Sequence, residues 1–120
     1  MGTRNHVDER AAKDLLDAEK AATLARIAAL EAEFDDIVAA TAEANSDDEH
    51  DPEGSTIAFE RSRVSALLVQ ARALLEELEA AQVRLVSGRY GICDQCGKAI
   101  PFDRLSALPT ARTCVGCRST

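Results

Sequence analysis

The chain has 120 residues with one Tyr, three Phe and no Trp, which is too short and too poor in aromatics for a large enzyme core and better suited to thin helical seams. Its formal charge of −7 is unevenly placed, since residues 1–83 carry 8 Lys and Arg against 19 Asp and Glu, whereas residues 84–120 carry 6 against 2. A chain this acidic is poorly suited to gripping a phosphate backbone along its length, so direct binding of nucleic acid is not expected.

The first residues, Met1 to Asp8, lack the apolar core of a signal peptide, and no run of 18 apolar residues follows. A cytoplasmic protein without membrane association is expected. From about Asp8 to about Thr41 there is no Pro or Gly, and apolar residues at Leu16, Ile27, Leu30, Phe34 and Ile37 step by threes and fours, which predicts a helix.

Residues 44–55, rich in Asp and Glu and containing Pro52 and Gly54, break that periodicity and predict a turn or acidic tip. A second helix is predicted from about Thr56 to about Ser87. Its stripe of Ile57, Val64, Leu67, Ala71, Leu74, Leu78, Ala81 and Leu85 repeats as heptads, and Gly88 stands where a C-cap belongs. Folding the two stripes together within one chain gives an antiparallel two-stranded coiled coil and a monomer; pairing between chains is the alternative.

Near the C-terminus, Cys93-Asp94-Gln95-Cys96 and Cys114-Val115-Gly116-Cys117 form two C-x2-C pairs with 17 residues between them. Two residues between cysteines let both sulfurs of one knuckle reach a single ion, and the longer loop brings the second pair round to complete a tetrahedron. In the cytosol such pairs are more often metal ligands or redox groups than structural disulfides, and an iron centre or thiol chemistry is the alternative to zinc. One zinc ion per chain, held by Cys93, Cys96, Cys114 and Cys117, is therefore expected. Four thiolates close the coordination sphere, which makes that zinc structural. Gly97 and Gly116 suit knuckle positions that need positive φ. Ile92, Ile100 and Leu105 are expected beneath the metal and Arg104 on the surface.

His6 and His50 belong to neither cysteine pair, and no Ser–His–Asp grouping, phosphate-binding glycine loop or paired carboxylates in an apolar pocket can be assembled. An enzyme is not expected. The fold class is mainly α: residues 1–88 form a helical hairpin with its tip around 44–55, and residues 89–120 form a small four-cysteine zinc finger.

The run Gly88-Arg89-Tyr90-Gly91-Ile92-Cys93, with Cys96-Gly97, Ile100, Arg104-Leu105, Ala107, Pro109, Ala111 and the final Cys114-x-x-Cys117, resembles the DksA/TraR family of bacterial C4 zinc-finger proteins. The resemblance implies a transcription regulator that binds RNA polymerase rather than DNA, inserting its coiled coil through the secondary channel. In the family's best known members the alarmone ppGpp modulates the effect. The family tip typically reads D-x-x-D-x-A; here Asp48 and Asp51 keep the acidic spacing, and Glu53 replaces the Ala. Asp48, Asp51 and Glu53 are thus the expected partner-binding residues. A zinc-stabilised interaction module with a partner other than polymerase is the alternative.

Overall fold

A computed structural model of the chain describes residues 8–47 and 52–117, with only the backbone path given for residues 44–47 and 52–55. Asp48, Asp51, His6 and His50 lie outside the described residues, as does the side chain of Glu53. Three α-helices follow in order, α1 (Glu9–Asp47), α2 (Pro52–Val86) and α3 (Phe102–Ala107), then a single 3-10 turn at Val115–Cys117. There is no strand among the described residues, only an isolated antiparallel bridge between Ile92 and Ala99.

Helix α1 opens where the Asp8 carboxylate accepts the backbone N–H groups of Arg10 at 3.0 Å and Ala11 at 3.4 Å, taking up two donors with no partner in the first turn. Both long helices run further into the 44–55 segment than periodicity predicts. The Ala-rich end of α1 offers no breaker before Asp47, and Pro52 opens α2, where its fixed φ and missing N–H cost nothing.

The chain divides into two compact units. One is Ala22–Leu74, and the other joins the residues up to Ala21 with those from Leu75 onward. Within Ala22–Leu74, Thr23, Ile27 and Leu30 of α1 and Val64, Leu68 and Ala71 of α2 are buried. Arg72 pairs with Glu31 at 2.8 Å and Arg63 with Glu33 at 3.1 Å, so partners run in opposite order and the helices lie antiparallel. In the other unit, Gln82 Nε2 donates to Asp17 at 2.9 Å and Lys20 pairs with Glu79 at 3.7 Å, again in opposite order.

The expected seam is corrected at two places. Leu68 is buried and Leu75 half-buried, whereas Leu67 is only half-buried and Leu74 is exposed. Each position lies in a Leu-Leu pair, and heptad spacing accommodates either member, so only the register of packing against α1 decides. On α1, Ala12 and Thr23 join the seam although one is small and the other polar. Fully burying a leucine such as Leu16 or Leu78 contributes about 1.5–3 kcal/mol, against about 0–1 kcal/mol for an exposed ion pair. The apolar seam, then, holds the helices together.

Candidate metal centre

The site is built outward from the end of α2. Gly88, with φ of 80°, reverses the chain, so that Arg89 N–H donates to the Arg84 carbonyl at 2.8 Å and Gly88 N–H to the Leu85 carbonyl at 3.2 Å. This Schellman pattern ends the helix at the expected C-cap. Tyr90 follows, buried, with its hydroxyl donating to the Pro109 carbonyl at 2.8 Å and so tying the start of the finger to the turn after α3.

The bridge between Ile92 and Ala99 frames the first knuckle. Cys93 N–H donates to the Lys98 carbonyl at 2.8 Å, Ile100 N–H to the Gly91 carbonyl at 2.8 Å and Gly97 N–H to the Cys93 carbonyl at 2.9 Å. Gly97 has φ of 76°, as expected for a knuckle glycine. Gly116 does not take positive φ; Gly91, at 84°, does instead. The second pair closes through a 3-10 turn, which keeps φ negative, and Cys117 N–H there donates to the Cys114 carbonyl at 3.0 Å.

Two links bring the cysteine pairs together. Asp94 N–H donates to the Arg112 carbonyl at 2.8 Å, and Arg112 Nε returns the contact to Asp94 Oδ2 at 2.8 Å. Arg104 Nε donates to the Thr113 carbonyl at 2.8 Å, immediately before Cys114. Arg104 is therefore half-buried and engaged rather than free on the surface. Beneath the site, Leu105 and Ile100 are buried with Tyr90, Cys93 and Ala111 in one core with Ala12, Leu16, Leu78 and Ala81. Ile92, expected there too, is 44% exposed, because the bridge turns alternate side chains outward.

The four Sγ atoms of Cys93, Cys96, Cys114 and Cys117 lie within 4.8 Å of one another, and none is joined in a disulfide. Cys96 and Cys114 sulfurs are 3.8 Å apart. A tetrahedral zinc site with Zn–S bonds of about 2.3 Å requires sulfurs about 3.8 Å apart, so the donor set fits the metal. No other group of His, Cys, Asp or Glu among the described residues is placed to hold an ion.

The thiols themselves are electrostatically unequal. Burial opposes ionisation of Cys93, but the backbone N–H groups of Cys96, Cys114 and Gln95 outweigh it and bring its pKa down to about 6. Cys117 is pushed up to about 12, first by its contact with the Cys114 thiol and then by burial and the other two sulfurs. One sulfur is ready to ionise near neutrality while another resists because its neighbours crowd it. A divalent cation among them removes that resistance.

The prokaryotic dksA/traR C4-type zinc-finger profile matches residues 88–120, the segment just described. An uncharacterised 8.2 kDa protein of Escherichia phage P2 is 36% identical over 50 residues, covering 42% of this chain and 68% of its own length. The chain belongs to the DksA/TraR family. As a member it binds one structural zinc ion.

Protein YteA of Bacillus subtilis is 42% identical over 66 residues, 55% of this chain and 28% of its own length. The RNA polymerase-binding transcription factor DksA of Haemophilus influenzae is 40% identical over 48 residues, 40% of this chain and 33% of its own. The chain thus spans a third or less of the length of these two relatives. The solved structure of transcription factor DksA2 from Pseudomonas aeruginosa superposes with a TM-score of 0.78 at 25% identity, covering 92% of this chain and 80% of that one. The fold is the mainly α one expected: two long helices in contact, then the cysteine finger.

Three features of the site escaped the sequence. Nothing in the pattern signalled the Tyr90–Pro109 bond or the two-sided link between Asp94 and Arg112, because both join residues 18 or 19 apart in the chain. The burial of Arg84 was equally hidden, as arginine at a helix end ordinarily reaches solvent.

Proposed function

We propose that the chain is a zinc-binding transcription regulator that binds RNA polymerase, entering by the secondary channel, and that it acts without gripping DNA and without catalysing a reaction. Residues 1–88 carry the helical hairpin in this reading and residues 89–120 the finger, in which Cys93, Cys96, Cys114 and Cys117 ligate the zinc. The observation that carries it is the joint match of finger and fold: the closely packed cysteine cluster lies in the family segment, and the fold agrees with that of a transcription factor at a TM-score of 0.78. A relative of the same finger type is named for binding RNA polymerase.

Asp48, Asp51 and Glu53 are proposed as the partner-binding tip. Carboxylates in the 48–53 segment can act through charge on a metal-dependent active centre or on basic channel walls. The acidic balance of residues 1–83 argues against a role on nucleic acid. No helix among the described residues is long and apolar enough to cross a membrane. Action in the cytoplasm and as a monomer belongs to the proposal.

The test is a photo-crosslinker placed at position 51 of zinc-loaded protein mixed with RNA polymerase. Labelling of the subunits lining the secondary channel is expected. Labelling confined to the enzyme's outer surface, or recovery of a different stoichiometric partner in its place, contradicts the proposal.

A further inference from the structure

Arg84, in the last turn of α2, is 8% exposed and is the one buried charged residue among those described. Its Nη2 is enclosed by protein and has no hydrogen-bond partner. The surroundings do not supply the missing negative charge. Arg112 and Arg89 stand within electrostatic reach as like charges, and a nearby carboxylate, Asp94, already receives Arg112 Nε at 2.8 Å. Burial first, and then Arg112, lowers the guanidinium's pKa from its ordinary value.

A buried, unpaired cation is costly, and a buried charge is ordinarily paired or set against a metal centre. The C-terminal dipole of α2 offers the equivalent of about half a negative charge, which does not balance this corner. Arg84, Arg89 and Arg112 set against Asp94 leave a surplus of two positive charges. One zinc ion with four thiolates carries a surplus of about two negative charges. Asp94, within electrostatic reach of Arg84, is the residue next to Cys93, and Arg84 and Cys93 are both buried, where charges are screened less than in water.

We propose that Arg84 is a positioning residue for the zinc centre, a buried counter-charge that raises the metal affinity of the finger through its charge alone. The inference rests on the zinc reading above and assigns a role to a side chain outside the cysteine module. Nη2 donates no hydrogen bond, so that arm of the guanidinium fixes no geometry, and the effect is assigned to the charge. Lysine at this place should therefore serve nearly as well as arginine. In the metal-free chain, where the finger is unfolded, this buried corner is not formed and removing the charge should matter little.

The experiment measures zinc affinity of the full chain by competition with a chromophoric chelator, for wild type, Arg84→Met and Arg84→Lys. It also measures the metal-free melting temperature of each by circular dichroism at 222 nm. Arg84→Met should bind zinc about 10- to 100-fold more weakly, the range typical for groups that support a metal's ligands. Arg84→Lys should stay within a few-fold of wild type. The metal-free melting temperature of Arg84→Met should stay close to that of wild type; a lowered one would trace the loss of zinc to a damaged helix end and overturn the inference. Should Arg84→Met not fold, Arg84→Gln takes its place: weaker zinc binding than wild type is expected, and unchanged binding overturns the inference. A wild-type chain that takes up no zinc sinks the metal centre and this inference together. A wild-type chain that binds one zinc, with Arg84→Met binding it as tightly or Arg84→Lys as weak as Arg84→Met, overturns this inference alone.

Discussion

The unit Ala22–Leu74 and the unit that holds the finger bury their cores by different means. The first relies on a repeating apolar seam, with Ile27, Leu30, Val64, Leu68 and Ala71 inside and ion pairs outside. The second has the ends of both long helices, but among the described residues beyond Val86 it has only one six-residue helix and a 3-10 turn, and polar links set its shape. A seam made of many similar contacts loses stability in small steps when altered. A finger that depends on one ion should fail all at once.

The sharpest way to break the contrast is Cys114→Ser. Zinc should be lost and the finger should unfold, while the helical signal at 222 nm persists in large part, because α1 and α2 span 39 and 35 residues. Retained metal, or complete loss of helix, would erase the distinction between the units. Protons sharpen the same point. With Cys93 at about 6, zinc affinity should weaken steeply as pH falls towards and below that value and the thiolate is protonated. With Cys117 at about 12, zinc loading at pH 7 should release at least that thiol's proton, measurable with an indicator dye in weak buffer.

Next in size are the leucines. Leu78→Ala removes a side chain 1% exposed from the core shared by the helix ends and the finger, and should cost about 2–5 kcal/mol by chemical denaturation. It should also loosen zinc, whereas Leu68→Ala, in the other unit, should destabilise the helices and leave zinc affinity alone. Equal effects of the two on zinc would mean that the units do not behave separately. A smaller loss, about 0.5–1.5 kcal/mol, is expected for Tyr90→Phe, which removes the bond to the Pro109 carbonyl. Smallest is Arg72→Ala, whose pair with Glu31 is half in solvent on both sides and should contribute about 0–1 kcal/mol.

How much of this could be read from residues alone also differs between the units. Heptad spacing located the helical seam but could not choose between neighbours in Leu67-Leu68 and Leu74-Leu75, because facing inward depends on the partner helix. The spacing of Cys93, Cys96, Cys114 and Cys117 located the metal cluster directly, since one ion constrains all four sulfurs. Arg84 and Gly91 stayed hidden for a common reason. Their roles arise where the chain crosses itself, at a buried corner in one case and beside an isolated bridge in the other, and no local pattern records such a crossing.

The metal content of natively purified protein, never exposed to chelator, tests the metal-clamped finger most directly. About one zinc per chain, lost in Cys114→Ser, is the expected result. Less than about half an equivalent, with four thiols titrating freely in the native state, would contradict it.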